Sequence, residues 1–288
     1  MITCPWGTQG KESFLNILIL LILNTFTFQS FAHTVVVSDV DDTIKVSHVL
    51  DPDSAVGNSL KVGNVFRGMS ELYTEIKSYQ PTAQFYYVTN APERLFTNIH
   101  GIFLKIHNFP AGRLVLRKSL SDKNHKVHSI RKIIELENPE TLILIGDNGE
   151  RDPIVYNQIQ NEFPEIKIIT FIREAYSSKH EEEDDRGTRL FKDQIGFVTP
   201  TEIALKLQAE NFLTSHQVDN LESNFVEPTL SQAKQEDDDG ETGTLSFPNW
   251  VDCRDHQASQ LLMERSSVWA QRLVVRIQER CSVEPYDD

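Results

Sequence analysis

Between residues 34 and 172 the chain alternates short unbroken apolar runs with stretches whose apolar positions recur every three or four residues. The runs are Thr34–Val37, Gln84–Val88, Leu114–Leu116, Thr141–Ile145 and Ile166–Ile172. Runs this short with no polar alternation predict strands buried on both faces, as in a parallel sheet. Between them, Ser70–Tyr79 carries Leu72, Ile76 and Tyr79 at helical spacing, and Asn124–Leu136 carries Val127, Ile130 and Ile134. Pro92–Asn108 and Asp152–Phe163 also predict helices, with Pro92 suited to a first helical position. Strands alternating with helices imply an α/β fold with crossover helices. Ile44–Phe66 interrupts the alternation and reads as a flap over the end of the first strand. No internal repeat is present.

The two ends differ from this middle. Phe14–Phe28 is apolar but short for a membrane span of roughly 20 residues. Lys11 precedes it, and Ser30-Phe31-Ala32 supplies small residues at the −3 and −1 positions before His33. Residues 1–32 therefore read as a secretory signal peptide, with an uncleaved membrane anchor as the alternative. Export predicts a periplasmic or secreted protein. Pro200–Phe212 predicts one more helix, so the α/β domain is expected over 33–213. Residues 214–246, acidic and polar, read as a flexible linker. In 247–288, Leu262, Trp269, Leu273 and Ile277 predict a helical segment docked on the domain. Cys253 and Cys281 flank that helix and could pair in an oxidising compartment. A straight helix would hold them about 40 Å apart at ~1.5 Å per residue. An intramolecular bond within roughly 7 Å between Cα atoms needs a bend, expected near Ser266-Ser267. Otherwise the bond would join two chains.

Charge adds a location. The net charge is −14, concentrated in Glu181–Asp185 and in residues 216–246. Segment 113–132 has the opposite sign, with Arg113, Arg117, Lys118, Lys123, Lys126, Arg131 and Lys132 against Asp122 alone. It could attract an anionic substrate or an anionic membrane surface, or be an ordinary solvated helix face. Basic residues are not interleaved with aromatics, so nucleic acid is not an expected partner. Nothing in the sequence sets an oligomeric state.

The chemistry is expected where the predicted strands end. Asp39, Asp41 and Asp42 follow the first strand at once. Carboxylates so crowded repel unless a proton or cation intervenes, and oxygen donors suit a hard ion such as Mg²⁺. An acidic turn is the plain alternative. Thr89 ends the second strand, where a hydroxyl and following amides can hold a phosphoryl oxygen. Lys126 sits in a first helical turn and can neutralise two anions at once. Asp147 ends the strand Thr141–Ile145 beside Gly146 and Gly149, and Asp152 follows.

The order Asp39-x-Asp41-x-Thr43, Thr89, Lys126 and Gly146-Asp147-x-x-x-x-Asp152 resembles the haloacid dehalogenase superfamily. Ser38–Ser47, Arg67–Tyr73, Tyr87–Pro92, Phe109–Arg117 and Leu144–Tyr156 look more narrowly like the catalytic domain of actin-patch-type phosphatidate phosphatases. The match runs over roughly 34–174, closing on Phe171-Ile-Arg-Glu174. The resemblance implies a Rossmann-like parallel sheet with a flap after the first strand, here with a helical C-terminal extension. It implies magnesium-dependent hydrolysis of phosphatidate to diacylglycerol and phosphate. Asp39 would be the nucleophile and Asp41 the acid and base. Val40, Thr89, Asn90 and Lys126 would hold the phosphoryl group. The metal would lie between Asp39, Asp147 and the Asp41 carbonyl, with Asp152 orienting its water shell. Thr89-Asn-Ala-Pro92 departs from the family's usual Ser-Asn-Ser-Pro. Substrate choice therefore stays open between phosphatidate and a soluble phosphomonoester. A non-catalytic lipid-phosphate binder is a third reading. For lipid, the flap residues Val49, Leu50, Val56, Leu60 and Val65 and the basic segment are the expected membrane contacts.

Overall fold

β1 (Thr34–Ser38) lies at the middle of a six-stranded parallel sheet. β2 (Gln84–Pro92) and β3 (Arg113–Arg117) extend it on one side, and β4 (Thr141–Asp147), β5 (Lys167–Arg173) and β6 (Ile195–Phe197) on the other. The order is β3-β2-β1-β4-β5-β6, so the chain reverses its winding direction at β1. In this computed structural model the described residues are Met1, 33–51, 60–179, 187–232 and 248–284. The expected signal peptide, the flap tip with Val56, the acidic run 181–185 and residues 233–247 lie outside them. Ala32–Asp288 forms one compact unit. Among the described residues no helix is long and apolar enough to cross a membrane.

Apolar runs make this a doubly covered sheet. Val36, Ile143, Ile145 and Phe171 face one side. There they meet α1 (Met69–Tyr79) and α5 (Pro200–Ala209), which bury Leu72, Ile76, Ile203 and Leu207. Val35, Val37, Leu142 and Leu144 face the other side. They pack on α3 (His125–Glu137) and α4 (Asp152–Glu162) through Val127, Ile130, Ile134, Val155 and Ile159. α2 (Glu93–Ile106) covers β2 and the edge strand β3, inserting Phe103. The predicted elements are thus present, with most ends shifted by one or two residues, though β2 runs four residues further and α5 stops three earlier. β6 has only three residues and no run of its own in the sequence.

Residues 214–232 are not a linker. α6 (Ser215–Leu221), a π-helical turn (Glu222–Val226) and α7 (Glu227–Gln232) continue the domain. Val218, Leu221, Phe225, Val226 and Leu230 are buried at near-helical spacing. The acids that made the stretch look solvated are partly neutralised, since Arg265 binds Asp219 at 2.6 Å and also Glu222. Gly68, at φ 84°, has no room for a Cβ, which would meet the Phe225 ring at 2.7 Å.

The C-terminal helix is broken as the cysteine spacing requires. α8 (Gln260–Glu264) ends at Arg265, and α9 (Val268–Arg280) restarts with Ser267 capping the Ala270 and Trp269 amides. Cys253 and Cys281 pair within the chain, with Cα atoms 4.9 Å apart. The segment docks through His256, whose Nδ1 meets Glu174 at 2.6 Å and Nε2 meets Glu202 at 3.0 Å.

Candidate active site

Register brings the site together before any side chain is considered. Ser38 pairs with Ile145 on β4 and with Tyr87 on β2. Asp39, Asp147 and Thr89 therefore leave adjacent strands at one sheet edge, at the reversal of winding where α/β sheets place ligands. Asp39 N donates to Ile145 O at 2.8 Å, extending the ladder by one residue. β2 loses register between Val88 and Pro92, which turns Thr89–Ala91 out of the ladder.

Asp39 is 2% exposed and both its oxygens are engaged. Lys126 Nζ lies 2.7 Å from Oδ1, and Thr43 Oγ1 donates to Oδ2 at 3.2 Å. Thr43 also lies 3.3 Å from Asp147 Oδ2, so the motif threonine ties the two strand ends together. Gly149 N donates to Asp147 Oδ1 at 2.7 Å. Lys126 reaches Asp152 Oδ1 at 2.5 Å and stands 3.8 Å from Glu150. Asp152 is thus beside the other two carboxylates and not in an outer position only. One oxygen each of Asp39, Asp147 and Asp152 falls within 4.8 Å of the others.

Burial pushes the Asp39 and Asp147 carboxyls well above the ordinary range. Neighbouring carboxylates add to that, and Lys126 opposes it. Burial opposes the charge on Lys126 as well, but Asp152, Asp39 and Glu150 outweigh it and hold the ammonium above its usual value. Lys126 alone does not balance three buried acids. Asp152 Oδ2 is buried with no hydrogen-bond partner. An all-oxygen donor set with surplus negative charge and an open lone pair fits a hard divalent cation.

Asp41 has a different environment. Its Oδ1 accepts from Ser47 Oγ at 2.6 Å and its Oδ2 from Thr89 Oγ1 at 3.1 Å. His100, fully buried on α2, brings Nε2 to 3.7 Å from Oδ2, and neither of its ring nitrogens has a hydrogen-bond partner. Burial holds that imidazole below its ordinary pKa, against the pull of Asp41.

Asp42 does not share the site, although it is adjacent in sequence. At φ 55° it turns inward and accepts from the Ser47, His48 and Val49 amides at 2.7–2.8 Å and from Tyr176 OH at 2.6 Å. It shapes the loop that carries Ser47 back to Asp41. Val40 is buried among core residues, and its carbonyl accepts from Ile44 and Lys45. Only its backbone can face the site. Asn90 Nδ2 is engaged by Glu150 at 2.8 Å.

A cavity of about 260 Å³ opens over Asp39, Asp41, Thr89 and Asn90. Val49, Ala91, Pro92, Phe96, Arg117 and Glu150 complete its wall. Phe96, His100 and Ser47 were not singled out by sequence reasoning, whereas Arg117 was, as part of the basic segment. Only Ser47, six residues after Asp41 in the motif region, carried a signal. Phe96 and His100 look like ordinary members of a helical stripe.

Among proteins of known family, residues 34–174 match the family described as phosphatidate phosphatase APP1, catalytic domain. The "Uncharacterized protein C29B5.04c" of Schizosaccharomyces pombe is 27% identical over 158 residues, 49% of this chain and 25% of that protein. The chain thus spans about a quarter of the length of that relative. A class C acid phosphatase from Bacillus anthracis, solved with tungstate bound, overlays 74% of this chain and 85% of its own at 13% identity and TM-score 0.34. UDP-GlcNAc 2-epimerase from Neisseria meningitidis overlays 73% of this chain and 56% of its own at 12% identity and TM-score 0.33. Overlays at TM-scores this low carry no argument. The family match covers every residue of the site built above. Over residues 34–174, about half of its length, the chain is similar to the phosphatidate phosphatase APP1 catalytic domain.

Proposed function

We propose that the protein hydrolyses phosphatidate to diacylglycerol and phosphate through a phosphorylated Asp39. The observation that carries the mechanism is the division of labour between two carboxylates of one loop. Asp39 is fixed by Lys126 and Thr43 at the cavity floor, and Asp41 is held by two hydroxyls at its side.

An Asp39 oxygen attacks phosphorus in line, forming an acyl phosphate as the P–O(glycerol) bond breaks. The departing alkoxide takes its proton from Asp41 and leaves as diacylglycerol. Asp41, now a carboxylate, takes a proton from water as that water attacks phosphorus, and Asp39 departs as a free carboxylate. Lys126 and the Thr89 hydroxyl offset and position the charge of the transferring group. Ser47 and Thr89 keep Asp41 aimed at the leaving oxygen. Asp39, Asp147 and Asp152 would hold a divalent ion, which Mg²⁺ fits, and it would supply charge neutralisation for the phosphoryl oxygens. The Asp41 carbonyl remains a further expected ligand.

Substrate choice is supported by the family match and by the cavity wall, where Val49, Pro92 and Phe96 offer an apolar side and Arg117 a cation. The test is phosphate release from phosphatidate in mixed micelles, with and without Mg²⁺, beside a panel of soluble phosphomonoesters. Preference for phosphatidate supports the reading. Release from soluble esters alone keeps the mechanism and removes the lipid. Asp39→Asn should lower kcat by at least about 10⁴-fold with the fold intact, because the nucleophile is lost. Near-normal turnover in that variant would refute the aspartyl route.

A further inference from the structure

Helix α2 carries two apolar faces, and only one of them has a partner. His100 and Phe103 point into the core with no exposure. Leu95, Ile102 and Ile106 are 67%, 51% and 49% exposed, and Ile99 is half-buried. At about 100° per residue these four fall within roughly 60° of arc, a stripe some 16 Å long. An isolated exposed leucine needs no explanation, but four on one line do. The stripe also starts at the site. Pro92 caps α2, and both Pro92 and Phe96 line the catalytic cavity.

Charge says what the face meets. Arg94 and Lys105 are exposed on α2, and both project to the same flank of the stripe, roughly 90° from its centre. The neighbouring edge strand β3 ends in Arg117 at the cavity wall, and exposed Lys118 follows. Cations collect here on a chain whose net charge is −14. A second copy of an acidic protein would gain little from them. A helix with an exposed apolar stripe flanked by basic residues is the arrangement that lies in the headgroup plane of an anionic bilayer.

We infer that α2 is the element by which this protein docks on an anionic lipid surface, with the stripe in the interface and the cavity mouth turned to the headgroups. This rests on the reading of a lipid phosphate as substrate. It adds a third element to the flap and the basic segment as membrane contacts, and gives α2 the apolar part. Docking there would deliver the phosphate monoester to Asp39 while the acyl chains stay in the membrane.

The test compares the full chain with L95E/I102E, both exposed positions away from the catalytic groups. Sedimentation with vesicles of phosphatidylcholine and phosphatidylserine reads binding. Hydrolysis of a soluble phosphomonoester and of a short-chain monomeric phosphatidate reads the site. Each substitution should weaken vesicle partition by roughly tenfold, from the apolar area withdrawn. Soluble turnover should be unchanged. R94E/K105E should also lose binding, and salt should weaken the wild type. Vesicle binding that is equal in L95E/I102E and wild type overturns the inference, and so does no binding by wild type. A dimer in solution that L95E/I102E dissociates, with no vesicle binding, assigns the face to a second copy. Failure of the substrate reading looks different: vesicles bind through α2, but phosphatidate is not hydrolysed even as monomer.

Discussion

Asp147→Asn should have opposite effects on stability with and without a divalent cation. Asp147 is 1% exposed, and the closest oxygens of Asp39, Asp147 and Asp152 lie within 4.8 Å of one another. Two full charges at that distance repel by about 3.5 kcal/mol at an effective dielectric constant of 20. Proton uptake relieves part of that, in line with the raised Asp147 carboxyl. The amide changes the bond from Gly149 N to a weaker neutral one, a loss of about 1 kcal/mol. The net expected gain for the metal-free variant is about 1–2 kcal/mol, or several degrees in Tm for a chain of this size. Wild type should gain about 2.7 kcal/mol from a cation at a hundred times its Kd, and the variant should gain almost none. Thermal unfolding in chelator and then in excess Mg²⁺ measures both signs. A variant less stable than wild type in chelator would refute the account of surplus buried charge. An undiminished Mg²⁺ shift would refute Asp147 as a ligand.

Two further outcomes concern the C-terminal segment. His256, held between Glu174 and Glu202, is raised to about 10 by those carboxylates against its burial. Its folded pKa lies above the unfolded 6.5, so its contribution is complete below pH 6.5 and is lost as pH rises through about 10. Unfolding in denaturant from pH 6 to 10.5 should show a loss of at most about 5 kcal/mol in wild type that is flattened in His256→Gln; equal slopes would refute the clamp. Cys253→Ala with Cys281→Ala opens a loop of sequence separation 28, worth about 3.6 kcal/mol of denatured-state entropy. A fall in unfolding free energy below about 1 kcal/mol by urea titration would mean that the Arg280 bonds to Pro248, Asn249 and Val251 close the loop unaided.

Much of the sheet was legible because doubly covered parallel strands leave unbroken apolar runs, and three of those runs lead to Asp39, Thr89 and Asp147. Asp39, Thr89 and Asp147 could be assigned to one edge from that fact alone. Asp42 could not. Three aspartates within four positions look alike in sequence, and the backbone at φ 55° sends Asp42 inward to three amides and Tyr176. His100 was hidden for a related reason. An inward histidine on α2 repeats the apolar spacing, and only the fold reveals that Asp41 lies 3.7 Å away. Residues 214–232 were misread because composition averages over a helix. Its acids meet Arg265 or solvent, whereas Val218, Leu221, Phe225 and Leu230 face in.

The C-terminal segment shows why the folded domain does not stop where the family match does. Trp250, far beyond residue 174, stacks on His48 with ring centres 4.2 Å apart and on Tyr176 at 5.3 Å. Tyr176 OH and the His48 amide both bond to Asp42. Asp42 also takes the Ser47 amide, and Ser47 Oγ holds Asp41. A packed ring in the C-terminal segment therefore backs the loop that carries Ser47 and holds Asp41. The segment is fixed in turn by the Cys253–Cys281 bond, by Asp252 N on Ala175 O at 2.9 Å and by the His256 clamp. Each contact is ordinary, but together they link Trp250 through His48 and Tyr176 to Asp42. The extension is accordingly packed into the framework behind the candidate site.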